Sequence, residues 1–314
     1  MLLVGLCFVL WISAYVGVRY ATVPIQSSNV VKVLQSFLLP NTLLSNLVAF
    51  VFTLLNAFLL TQLNNKFTII RTRTFLPIFI FIFLMSTWNE THIANGSHLA
   101  LTFFIISLFF ILSMFHDRNA SEQAFMGCLL ISFSSIFINP LIFIIPVYWI
   151  GFMMLQSFSI RTLLASILGT LTPWVLYLSI HYFLNPNIDL MQFFKIYTNI
   201  ELDVFSFSLV NLIYIGSLAI VMIISLVGMF SIYNRDAIHT RNKLNFLLLL
   251  LISFLILSLV FKNQFSLFLP FIALQYSFLV SHPFSLKQNN FYNILFIIFC
   301  VLNITFIISK YITI

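Results

Sequence analysis

Apolar stretches of some twenty residues recur along this chain from one end to the other, separated by turns too short to hold a soluble domain. That pattern leaves few folds open. A helix crossing the hydrocarbon core of a bilayer, roughly 30 Å thick, needs about 20 mostly apolar residues at 1.5 Å each. About eleven stretches qualify: 2–18, 42–62, 75–88, 98–115, 123–138, 141–157, 163–184, 207–232, 245–261, 265–281 and 291–309. Charge agrees with this reading. Of 314 residues 14 are Lys or Arg and 7 are Asp or Glu, so charged residues make up 7% of the chain, where a soluble domain carries about a quarter. The expected fold is all-α, a polytopic helical membrane protein forming a single integral membrane domain over 1–314. The first stretch lacks a basic n-region and a small-x-small cleavage site, so it reads as a retained anchor.

The same composition excludes several functions. A net charge of +7 spread this thinly builds no nucleic-acid groove. No GxGxxG or GxxxxGK[ST] occurs, so no loop is shaped to cradle a nucleotide's phosphates. Cys7, Cys128 and Cys300 all lie in apolar runs without a CxxC pair, which reads as small packing residues rather than metal ligands or disulfides.

Basic residues orient the spans. With the N-terminus in the cytoplasm, nine of the 14 basic residues fall in inner loops, most clearly in KFTIIRTR (66–73) and NRDAIHTRNK (234–243). The chain is therefore expected to have its N-terminus inside and its C-terminus outside. Spans 123–138 and 141–157 are joined only by Asn139–Pro140, either as a tight helical hairpin or as a re-entrant pair beside a cavity. Pro146 and Pro173 are expected to kink their spans. Two segments, 28–41 and 191–204, carry apolar residues at helical spacing on one face, among them Phe37 and Phe193, and read as amphipathic helices lying flat at the interface.

With seven acidic residues in all, each can be weighed. Asp117, Glu122 and Asp236 sit in inner loops near Arg118 or Arg235, which suggests local pairing or solvation. Glu90, Asp189, Glu201 and Asp203 fall outside. The loop WNETHIANGSH (88–98) is the densest polar cluster, with Glu90, His92 and His98 within ten residues. Its carboxylate could serve as a general base, with the imidazoles tuning it or binding a phosphate. The same groups could ligate a metal, although no HExxH spacing is present. Equally, the loop could be a solvated turn. His181, near the outer end of its span, is either an interfacial belt residue beside Trp174, Tyr177 and Tyr182 or a buried functional group. No Asp or Glu lies mid-span, which argues against ion-driven transport.

The segment from about 98 to 180, with its short pair around Asn139–Pro140 and the run SFSIRTLLASILGTLTPW, resembles an uncharacterised family of integral membrane proteins of the Bacteroidota. The residues that carry the resemblance are Asn139, Pro140, Phe158, Arg161, Gly169 and Pro173. It implies a protein of the cytoplasmic membrane of a Gram-negative cell. More distantly the chain is similar to GT-C glycosyltransferases, which take a sugar from a polyprenyl phosphate and carry an acidic residue in an outer loop. It departs from them in its first outer loop, since residues 19–41 contain no Asp or Glu. The resemblance thus implies an envelope glycan or glycolipid enzyme, and no cofactor or metal is expected. Its catalytic candidates are Glu90 and Asp189, with His92, His98, Lys195 and His181 binding substrate. Membrane lipids, a polyprenyl-phosphate-linked sugar and other envelope membrane proteins are the expected partners. The alternative is a non-catalytic membrane subunit of an envelope or export complex.

Overall fold

The computed structural model describes residues 5, 11, 42–72, 74–184, 208–287 and 289–312, and among these every regular element is a helix. In chain order they are α1 (Thr42–Phe67), α2 (Leu76–Thr87), α3 (Gly96–Ser113), α4 (Ser121–Phe137), α5 (Ile144–Met154), α6 (Ile160–Leu184), α7 (Leu209–Ile232), α8 (Ile238–Val260), α9 (Phe265–Leu286) and α10 (Asn290–Ile312). Seven of them, α1, α3 and α6 to α10, are long and apolar enough to cross a membrane. In hydrocarbon no water can satisfy a bare N–H or C=O, so a chain this apolar closes its backbone hydrogen bonds within helices. These ten helices overlap ten of the expected stretches. The remaining one, 2–18, lies outside the described residues apart from Gly5 and Trp11, as do the amphipathic segments 28–41 and 191–204.

The helices run back and forth between two ends, which two contacts define. At one end Ser45 Oγ of α1 accepts from Ala94 N, 3.0 Å, beside the Glu90 loop. At the other, Lys243 Nζ donates to the carbonyl of Phe67, the last residue of α1, at 2.9 Å, a cation placed where helix carbonyls lack partners. These are called the Glu90 end and the Asp236 end.

The axis of the bundle is α9. It packs against α2, α3, α7, α8 and α10, and 78% of its most apolar window is buried, against 17% for α6, which turns its side chains outward. Phe271 of α9 lies 5.4 Å from Phe104 of α3 and 5.0 Å from Phe254 of α8, so one aromatic cluster holds three helices. Pro270 and Pro283 lie inside α9, and it continues to Leu286 because Lys287 N still reaches the Pro283 carbonyl, 2.9 Å.

The pair around Asn139–Pro140 is a helical hairpin of two short helices, 17 residues in α4 and 11 in α5. Ser107 Oγ of α3 donates to Gly127 O at 2.7 Å, and Ser134 Oγ of α4 donates to Ala100 O at 3.1 Å. In that antiparallel register α4 runs beside the whole of α3. A 3-10 turn over Asn139–Phe143 reverses the chain, and α5 returns to the starting level, where His116 N donates to Leu155 O, 3.0 Å. Pro146 falls in the first turn of α5. There a proline displaces no intrahelical bond, so the expected kink has no cause. Gly169 brings α6 onto α4 so closely that a Cβ would lie 2.4 Å from Phe125 O, the small-residue contact that lets membrane helices approach.

Candidate functional site

The loop expected to carry chemistry is folded into the Glu90 end of the bundle rather than left in solvent. Trp88 ends α2 in extended conformation, and Asn89–His92 makes a single 3-10 turn. Thr91 Oγ1 ties that turn back onto α2 through the carbonyls of Met85 and Trp88, the latter at 2.6 Å. Asn95 then caps α3, its Oδ1 accepting from Ser97 N at 3.1 Å. From α1, Asn56 Nδ2 donates to His98 O at 3.3 Å and its Oδ1 accepts from Thr102 at 2.9 Å, fixing the first turn of α3.

The three candidate side chains meet different surroundings. His98 is 1% exposed, set against the backbone of Thr91 and Ile93, and neither ring nitrogen makes a well-formed hydrogen bond. His92 is also buried, its ring 4.5 Å from that of Trp11, whose indole N–H donates to Ser86 Oγ. Glu90 is half-exposed, but its Oε2 is buried and without a partner. The solvated-turn reading is thus displaced, since the seven residues from Thr91 to His98 other than Ile93 are all buried. No ion pair joins Glu90 to a described residue, and among the described residues no three His, Cys, Asp or Glu side chains converge as a metal would require.

An aromatic wall stands beside the loop. Trp88 lies 5.9 Å from Tyr214, 5.6 Å from Phe306 and 6.1 Å from Phe265, drawing α7, α9 and α10 together. Tyr214 stacks on Phe306 at 3.8 Å, and its hydroxyl donates to Asn303 Oδ1 at 2.7 Å. Of the other candidates, His181 is in the last turn of α6 with its side chain outside the described residues, and Asp189 and Lys195 also lie outside them.

The Asp236 end holds a pair that sequence reasoning missed. Asp236, expected to pair with Arg235 or water, is instead buried, with its Oδ2 3.2 Å from His282 Nε2. The 3-10 turn Tyr233–Arg235 leaves Arg235 exposed and turns Asp236 inward, immediately before α8. Nearby, Arg241 lies 5.1 Å over the Tyr233 ring and Lys287 donates to Tyr292 OH at 3.3 Å. A signal for His282 existed. It is an ionisable residue directly after the apolar stretch 265–281, within the run that α9 buries.

Among the described residues ten helices, one of them buried at the centre and seven of membrane-crossing length, define a multi-pass integral membrane protein. The chain belongs to a family of unknown function, DUF6427, whose profile matches residues 18–314. No curated protein and no solved structure matches it.

Proposed function

We propose that this protein is a GT-C-like glycosyltransferase of a bacterial inner membrane, taking a sugar from a polyprenyl phosphate for envelope glycan or glycolipid assembly. One observation carries the reading: a carboxylate with one oxygen withdrawn from water, Glu90 Oε2, lies in the same folded loop as the buried imidazoles of His92 and His98. A buried carboxylate oxygen without a partner, as Glu90 Oε2 is, is rare and costly, and such atoms concentrate where a ligand completes them.

In the proposed reaction an acceptor hydroxyl oxygen bonds to the anomeric carbon as the bond from that carbon to the phosphate oxygen breaks. The hydroxyl proton passes to Glu90, and the departing polyprenyl phosphate keeps the bonding electron pair. A placed general base supplies roughly 10²–10⁴-fold in rate. Charge developing on the phosphate calls for donors, which His92, His98, Lys195 and His181 would provide, with Asp189 the reserve base. In this reading the Glu90 end faces the periplasm, with the N-terminus cytoplasmic and the C-terminus periplasmic.

The test is complementation of a gene deletion in the native Gram-negative host. Glu90→Gln keeps the shape and removes the charge, so envelope glycan should fall to the deletion level with the protein still present in the membrane. If Glu90→Gln and Asp189→Asn, singly and together, restore glycan fully, the enzyme reading fails and a non-catalytic subunit of an envelope complex takes its place.

A further inference from the structure

The successive helices α7 and α8 scarcely touch each other, although each packs on α9. Between them lies a cavity of about 440 Å³, floored by α9 and closed at one end by α2. Its floor is made by Ala273 and Tyr276, both buried, and the small Ala273 side chain leaves room that a larger residue would fill. Its rims are a different matter. Ile223 of α7 and Ile252 of α8 line the cavity and are nonetheless 60% and 49% exposed, and Ala219 and Leu255 beside them are exposed as well. The cavity is therefore a groove open sideways, through the surface that helices of this length and composition turn to hydrocarbon.

Its extent is limited along the bundle. Along α7 the lining runs from Ile215 to Leu226, eleven residues apart, or about 16 Å at 1.5 Å per residue. That is about half of the roughly 30 Å hydrocarbon thickness, so the groove has the depth of one leaflet. It starts at Trp88 and Thr91, where the apolar lining meets the polar loop, and the buried His98 ring rests against the Thr91 backbone. A groove with apolar walls, one leaflet deep, open to the side and ending at buried polar groups matches a lipid lying with its chain inward and its headgroup at the loop.

We infer that the α7–α8 groove binds the hydrocarbon chain of the polyprenyl phosphate, admitted sideways from the leaflet at the Glu90 end, with its phosphate at the Thr91–His98 loop. The identity of that chain as polyprenyl rests on the glycosyltransferase reading, while the location of the groove does not. Open lateral access is what a membrane-resident carrier needs, since its chain never has to leave hydrocarbon for water.

The experiment uses the full chain in nanodiscs of phosphatidylethanolamine and phosphatidylglycerol doped with polyprenyl phosphate, with bound lipid read by native mass spectrometry. Wild type should retain one polyprenyl phosphate per chain. Ala219→Trp and Ile223→Trp, both on the exposed rim, should cut retention at least about tenfold, whereas Ile213→Trp, exposed on the opposite face of α7, should not change it. The melting temperature of each variant checks folding, and Ile223→Trp decides the matter if Ala219→Trp fails to fold. Wild-type retention in a folded rim variant, or retention of phospholipid alone, would overturn the inference. Glu90→Gln separates the two claims. It should still retain the lipid while losing sugar transfer; if Glu90→Gln keeps sugar transfer while the rim variants lose the lipid, the groove stands and the base is removed.

Discussion

His282 Nε2 and Asp236 Oδ2 stand 3.2 Å apart across the α8–α9 interface, with side chains 0% and 4% exposed. The two residues are far apart in sequence, and their pairing closes the α8–α9 hairpin at the end opposite its connecting turn, Lys262–Gln264. Asp236 also lies just ahead of the first residue of α8, where the helix N-terminus favours negative charge.

Removing one partner of a buried pair leaves the other charged or polar group unmatched, which typically costs about 3–5 kcal/mol, while replacing both by apolar residues is often neutral. Asp236→Ala and His282→Ala should therefore each lower the unfolding midpoint in detergent markedly. The double variant Asp236→Leu/His282→Leu should lie nearer wild type than either. Two single effects that simply add in the double variant would show that the residues do not act as a pair.

Gly169 offers a test of packing. An added Cβ there would meet Phe125 O at 2.4 Å and Leu129 N at 3.2 Å, backbone atoms that cannot rotate aside. Gly169→Ala should separate α4 from α6 and cost about 1–3 kcal/mol. Gly216→Ala is the matched control. Nothing lies within 4 Å of its Cβ position, so the substitution should be neutral or stabilising by up to about 1 kcal/mol through helix propensity. Equal midpoints for the two variants would contradict the close α4–α6 contact.

Orientation is tested by reporters. Lys66, Arg71, Arg118, Arg161, Arg235, Arg241, Lys243 and Lys287 all lie at or near the Asp236 end, so the positive-inside rule predicts a cytoplasmic location for it. Alkaline phosphatase fused after Asn187 should be active, and fused after Arg73 inactive. The opposite pattern would put Glu90 in the cytoplasm and exclude a periplasmic reaction.

How much of this was legible in the sequence depends on the range of the interaction involved. Helix existence was, since hydrocarbon forces every apolar run of this length to satisfy its own backbone, a local requirement that composition reports directly. The density of polar groups at 88–98 was legible for the same reason. Which side chains water reaches was not. Ser45, Asn56 and Trp11 come from elsewhere in the chain to enclose His92 and His98, and no local pattern announces a neighbour some forty or more residues away. Asp236 shows the limit most clearly. Its sequence neighbour Arg235 is the obvious partner, yet the turn before α8 sends one side chain out and the other in, and His282 is met only because α9 packs on α8 and brings it alongside. The groove is likewise tertiary. Ala219, Ile223 and Ile252 read as ordinary lipid-facing residues, and only the separation of α7 from α8 over α9 turns them into the rim of a site. Sequence thus determined which segments are helices in a bilayer, because that free energy is paid residue by residue. Tertiary structure decided which polar groups lose water and where a chain can enter, because those depend on helices that meet only once the bundle has closed.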